Sequence, residues 1–122
     1  MKFGCYRIEQ QNLVIHAYFD GAQSLTETIS YFTELELCVA KLDKWVLYVH
    51  STETAIGTPE AAEYSVQFLP KLSSLNCVGY IIESQNPLVK AHADALAQIV
   101  AIPFLCSNQP SEIELFLREC LD

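Results

Sequence analysis

Three histidines are the natural acid–base groups of this chain, because an imidazole changes charge near neutral pH. His50 closes the apolar run Trp45–Val49 and is followed by the polar stretch Ser51-Thr52-Glu53-Thr54. Paired with Glu53, Glu83 or Asp20, it would make a general base with an orienting carboxylate. His16 lies inside an alternating segment, and His92 shares a helical line with Leu88, Leu96 and Ile99, the pattern of a packed or interface histidine. The remaining vocabulary of catalysis is missing. No Gly-x-Ser-x-Gly elbow presents a nucleophile, and four glycines supply neither Gly-x-Gly-x-x-Gly nor a P-loop. The five cysteines show no Cys-x-x-Cys and no Cys–His pair at metal spacing. Each sits in an apolar stretch, as a small buried hydrophobe does, and an odd set of free thiols suits a reducing compartment. Asp20, Glu53 and Glu83 could offer oxygens to a hard cation, but no motif holds them in a coordination geometry. The sequence therefore calls for no metal and no cofactor.

These groups are carried by short alternating units. Cys5–Glu9 and Leu13–Phe19 alternate as strands about Gln10-Gln11-Asn12, a hairpin loop, and Asp20-Gly21 ends the second strand. Ser24 and Glu27 form a capping box before a helix whose inward stripe reads Leu25, Ile29, Phe32, Leu35, Val39 and Leu42. Trp45–Val49 is a strand covered on both faces. Thr58-Pro59 opens a helix with Ala62, Val66, Leu69 and Leu72 inward, which Pro70 must shorten or kink. Cys77–Ile82 is a further core strand. Asn86-Pro87 opens a helix with Val89, Ala93, Leu96 and Val100 inward. Ile102–Cys106 is a fourth core strand, with Pro103 placing its start at a sheet edge, and Pro110 opens a last helix with Ile113, Phe116, Leu117 and Cys120 inward.

The order is β-β-α-β-α-β-α-β-α: an α/β fold with a mixed sheet of about five strands, a leading antiparallel hairpin and parallel crossovers after it. All four strand-end loops then lie on one edge, where open α/β sheets meet their ligands. Asp20, His50, Ser51, Glu83, Asn86 and Ser107 fall on this rim, together with Gly57 and Thr58 at the next helix start. Helix N-termini at Ser24, Thr58, Asn86 and Pro110 would turn positive dipole ends toward it, a setting for an anion. The same residues serve equally as ordinary caps and loop residues.

With 122 residues the chain makes one domain, 1–122. It is 51% hydrophobic and 18% charged, which excludes a disordered tail. Fifteen acidic against seven basic residues, a net charge of −8, exclude a nucleic-acid binder or an anionic-membrane binder, since both need a basic patch. No run approaches a membrane span, and the N-terminus lacks the apolar stretch of a signal peptide, so a cytoplasmic location is expected.

The leading hairpin, the strand ending at Gly21, the buried strand Trp45–Val49 and the helix opening at Gly57-Thr58 together resemble the STAS domain of anti-sigma-factor antagonists and sulfate-transporter tails, in a superfamily that includes the CRAL-TRIO lipid-binding fold. The runs Gly57-Thr58-Pro59-Glu60-Ala61 and Ile102-Pro103-Phe104-Leu105-Cys106-Ser107 resemble an uncharacterised bacterial family of STAS-like proteins. In antagonists a serine, usually preceded by an acid, opens the helix after the central strand and is phosphorylated to switch partner binding. The resemblance puts Thr58 at that position, as phosphoacceptor, with Gly57 in place of the acid and Pro59 after it.

Three functions follow as expectations. The first is a non-catalytic regulatory module that binds a partner protein, or a second copy as a homodimer, through the rim and the Thr58 helix. The second is a binder of a small apolar or anionic molecule at the same rim, to which Tyr18, Phe19, Tyr48, Tyr64, Phe68 and Tyr80 could contribute, although core packing accounts for aromatics equally. The enzyme reading, with His50 and a rim carboxylate, ranks last.

Overall fold

Alternation of apolar and polar residues makes Cys5–Gln11 (β1) and Val14–Asp20 (β2) an antiparallel hairpin. The computed structural model describes residues 5–51, 56–85 and 87–122. Its turn is only Asn12 and Leu13, tighter than the expected three-residue loop, because Gln11 stays paired with Val14. Asn12 takes φ 54°, a left-handed conformation that asparagine tolerates. Gly21, at φ 75°, then turns the chain out of the sheet.

Ala22–Gln23 (β3) pairs in parallel with Ile56–Gly57 (β5), a small second sheet that the sequence does not announce because each strand is two residues long. Leu25–Val39 (α1) begins with the expected capping box, Ser24 accepting from the Glu27 amide and Glu27 accepting from the Ser24 amide. Its buried stripe is Thr28, Tyr31, Phe32, Leu35 and Val39, whereas Leu25 and Ile29 are 38% and 39% exposed. The stripe is displaced from the expected one because the rings choose the contact. Tyr31 meets Tyr6 and Phe19 edge-on at 5.6 and 4.7 Å, and Phe32 stacks on Phe68 at 4.2 Å.

Trp45–Ser51 (β4) is buried from Trp45 to Val49. Thr58 caps Pro59–Phe68 (α2), which turns Ala61 and Phe68 inward and leaves Ala62 and Val66 exposed, again one step round from the expected face. Pro70 ends the α-helical hydrogen bonding, and the chain tightens into a 3-10 run, Leu69–Leu75, closed by Asn76 at φ 71°. The Trp45 indole donates to the Leu75 carbonyl at 2.7 Å, tying that run to the start of β4. Cys77–Glu83 (β6), Pro87–Val100 (α3), Phe104–Ser107 (β7) and Pro110–Leu121 (α4) complete the chain.

The main sheet has the order β1-β2-β4-β6-β7, with β2, β4, β6 and β7 parallel and β1 antiparallel. β7 is an edge strand, as Pro103 requires. One face carries the main core: Ile15, Leu47, Val49, Tyr80 and Ile82 pack under α1, α2 and α3. The other is covered by α4 alone among the described helices, with Ile113, Phe116, Leu117 and Cys120 against Val46, Tyr48 and Ile81. Lys44 Nζ donates to the Leu121 carbonyl at 2.6 Å and holds the C-terminus of α4. Helix α4 lies over β4, β6 and β7 and reaches β2 at Val14, and no other described helix covers the rest of β1 and β2 on that face.

Close approach of α4 to the sheet needs Gly79. A Cβ there would stand 2.6 Å from Cys120 Sγ and 3.3 Å from Phe116 Cε1. We expect Gly79→Ala to lower the unfolding free energy by about 1–3 kcal/mol in urea titration, with part of the loss recovered in Gly79→Ala/Cys120→Ala. A Gly79→Ala chain as stable as the parent would contradict this packing.

Candidate functional site

Strand register builds the site. Arg7 pairs with Tyr18, Tyr18 with His50, His50 with Glu83 and Glu83 with Ser107, so one row of polar and aromatic side chains crosses all five strands near their rim ends. Behind it Glu9, His16, Tyr48 and Ile81 form a second row. Residues two apart on a strand share a face, which puts both rows on the side that α4 only half covers.

The rings stack continuously. His50 lies against Tyr48 at 4.1 Å and 8°, and against Tyr18 at 4.4 Å and 12°. His16 Nδ1 and His50 Nε2 share a hydrogen bond of 2.9 Å, one nitrogen donating and the other accepting. The Arg7 guanidinium sits 4.4 Å from the centre of the Tyr18 ring and pairs with Glu9 at 3.2 Å. The Tyr48 hydroxyl donates to the Glu83 carboxylate. Burial pushes the Tyr48 phenol well above its ordinary value, and the bond to Glu83 and its charge push the same way. Burial also lowers both imidazoles, against the opposing pull of Glu9 on His16 and of Glu83 on His50.

Of the three carboxylates expected beside His50, Glu83 bonds to Tyr48 while His50 bonds to His16. Four sequence-predicted residues, Asp20, His50, Ser51 and Glu83, line one hollow of about 410 Å³ at the open face. Ser107 ends the row, but its hydroxyl serves α4, donating to Glu112 at 3.1 Å and accepting from the Gln109 amide at 3.0 Å. Thr58 and Gly57 stand toward the helix-covered side. Gly57 pairs with Gln23, the Thr58 amide donates to the Gln23 carbonyl at 3.1 Å, and Thr58 Oγ1 accepts from the Ala61 amide at 3.2 Å. Glu53, Asn86 and the His92 side chain lie outside the described residues. Among the described residues no group of three or more His, Cys, Asp and Glu is arranged to hold a metal ion.

Sequence reading missed His16, Arg7 and Tyr18 as neighbours of His50. Their signal is the alternation Val14, His16, Tyr18 against Ile15 and Ala17, and Tyr48, His50 against Leu47 and Val49. Alternation assigns faces, whereas the meeting of the two strands needs their order. Gln23, the last residue of the loop that leaves β2, stands in the wall of a second cavity, of about 240 Å³, on the helix-covered side. Phe19 and Ser51 border both spaces.

No protein-family model matches the chain, and no curated protein matches it in sequence. Its structure is similar to that of an uncharacterized protein from the DUF3478 family with a SpoIIAA-like fold, from Shewanella loihica PV-4, with a TM-score of 0.69 over 94% of each chain. The fold is SpoIIAA-like. At 13% identity the likeness carries the STAS-like architecture and no site residue. No described helix is long and apolar enough to cross a membrane.

The lowered imidazoles set the sign of a pH dependence. An unfolded chain takes up protons at these positions near pH 6.5, before the folded one does, so this contribution is present above about pH 6.5 and is lost as pH falls through the folded values. We expect the melting temperature to drop from about pH 7.5 to about pH 5.5, and to drop less in His16→Asn/His50→Asn. Parallel profiles for the two proteins would exclude the histidine pair as the cause.

Proposed function

We propose that this protein is a non-catalytic, STAS-like regulatory module that binds a partner polypeptide along the carboxyl-end rim of its sheet, from the open Tyr18–His50 row to the start of α2 at Thr58. The observation that supports it is the row itself. Tyrosine and arginine are the side chains that most often dominate interface energy, and here Arg7, Tyr18 and His50 are stacked in place before any partner arrives. Rings already held lose little freedom on binding, which favours affinity. The hydrogen bonds of His16, His50, Tyr48 and Glu83 are made within the chain, so the surface offers flat aromatic area more than an unpaired reactive group. Thr58 contributes the second end of the rim. A phosphate on its hydroxyl would stand at the N-terminus of α2, where dipole and amides favour negative charge, and would change the surface a partner meets. Five free cysteines suit the reducing cytoplasm in which such a module would work.

Chemical cross-linking of the chain in its own host, followed by mass spectrometry, tests the surface and reports whether the partner is another polypeptide or a second copy. Tyr18→Ala and Thr58→Arg should each cut the cross-linked species about tenfold or more while the circular dichroism spectrum is retained, as truncation of a hot spot does. Leu115→Ser, on the exposed side of α4 (57% exposed), should leave it unchanged. Equal yields from the rim variants and the parent, or no cross-linked species at all, would overturn the proposal.

A further inference from the structure

Strand β1 stands at the edge of the main sheet, and the register of its neighbours decides which backbone groups it turns outward. The carbonyl of Leu13, just before β2, accepts from the Val46 amide at 2.9 Å and so faces β4. Backbone direction alternates along a strand, so Val14, His16, Tyr18 and Asp20 turn their N–H and C=O groups toward β1. Their partners Gln11, Glu9, Arg7 and Cys5 form the hydrogen-bonded pairs of the hairpin. The residues between them, Tyr6, Ile8 and Gln10, direct their N–H and C=O groups away from the sheet. No described strand pairs with that side of β1.

Edge strands are commonly blunted by shortness, a bulge, proline or lysine. β7, at the opposite edge, has four residues and follows Pro103. β1 has seven residues, pairs with β2 without interruption, and contains neither proline nor lysine. Its charged residues are Arg7 and Glu9, with side chains 63% and 52% exposed. These two charges choose the occupant. In an antiparallel pair of identical, well-overlapped strands, outward residues must meet outward residues, so a two-fold axis can pass through Arg7, Ile8 or Glu9. An axis at Arg7 sets two guanidiniums opposite each other, and one at Glu9 sets two carboxylates opposite each other, both unfavourable. An axis at Ile8 places Arg7 of each copy opposite Glu9 of the other, in the non-hydrogen-bonded pairs where side chains stand closest. Ile8 then meets Ile8, Tyr6 meets Gln10, and the outward N–H and C=O groups of all three residues find partners. One register satisfies the backbone and both charges.

We propose that two copies of this chain associate edge to edge through β1, antiparallel about a two-fold axis at Ile8, joining their main sheets into one. The axis is perpendicular to the sheet, so the two Tyr18–His50 rows come to lie on one face, either side of it. This goes beyond the rim reading: a partner at the rim is a further species, cross-linked in the host over and above the pair. A strand pair of this length buries less than the roughly 1,000 Å² of a stable interface, so the pair forms at micromolar concentration or above.

Sedimentation velocity of the purified chain from about 10 µM to about 1 mM should show a monomer–dimer equilibrium. Arg7→Glu should weaken the association about tenfold or more, because it places like charges opposite each other twice. Arg7→Glu/Glu9→Arg should restore it, since the same register again pairs opposite charges. In amide hydrogen exchange, Tyr6, Ile8 and Gln10 should be slowed at the higher concentration, more than Arg7 and Glu9, whose amides already serve β2. A monomer throughout the range, equal association of Arg7→Glu and the parent, or a charge swap that stays folded and monomeric would overturn the proposal. Exchange at Tyr6, Ile8 and Gln10 that is independent of concentration would overturn it on the parent protein alone, even if a variant fails to fold.

Discussion

The parallel register of β2 on β4 is the constraint from which the rest of the molecule follows. It sets His16 beside Tyr48 and Tyr18 beside His50, and it requires the chain between the strands to cross over as α1. β4 then stands between β2 and β6, with Trp45 to Val49 buried, and every later strand is added in the same direction. Because all four parallel strands end on one edge, Asp20, Ser51, Glu83 and Ser107 become neighbours of a common rim.

Unequal cover of the two faces gives that rim its chemistry. Three helices close one face over a continuous apolar core, while α4 closes only part of the other. Residues at the margin of α4 are half-buried, a setting in which an unpaired polar group is costly, and they respond by pairing with one another. Tyr48 bonds to Glu83 and His16 to His50, and burial holds both imidazoles toward their neutral form. The same pairing gives Glu83 to Tyr48 and His50 to His16 and leaves a stacked surface of rings.

On the helix-covered side a comparable role falls to Gln23. The two-residue pairing of β3 with β5 and the bond from the Thr58 amide to the Gln23 carbonyl fix its backbone. Its side chain then holds β1 to the end of β2 through the carbonyls of Cys5 and Asp20. One residue thus links the hairpin, the start of α2 and the cavity between α1 and α2. Thr58 takes part in the same junction, so the helix start that the STAS resemblance singles out is joined mechanically to the cavity wall.

Element types and their order were legible in the sequence because they depend on local signals. Examples are the Ser24–Glu27 capping box, the Thr58-Pro59 helix start, the shortening at Pro70 and the edge position implied by Pro103. The inward faces of α1 and α2 were legible only approximately. Helical spacing admits neighbouring stripes, and packing of Tyr31 and Phe32 on distant rings chose between them. Strand alternation likewise assigned His16, Tyr18 and His50 to faces without stating that they meet. By itself the sequence determined an α/β chain with a leading hairpin, parallel crossovers and polar strand ends on one edge, since turn chemistry, capping and periodicity act over a few residues. Only the tertiary structure decided the His16–His50 bond, the row from Arg7 to Glu83 and the cavity at Gln23. Each joins residues far apart in the chain through strand order and register, which no local pattern encodes.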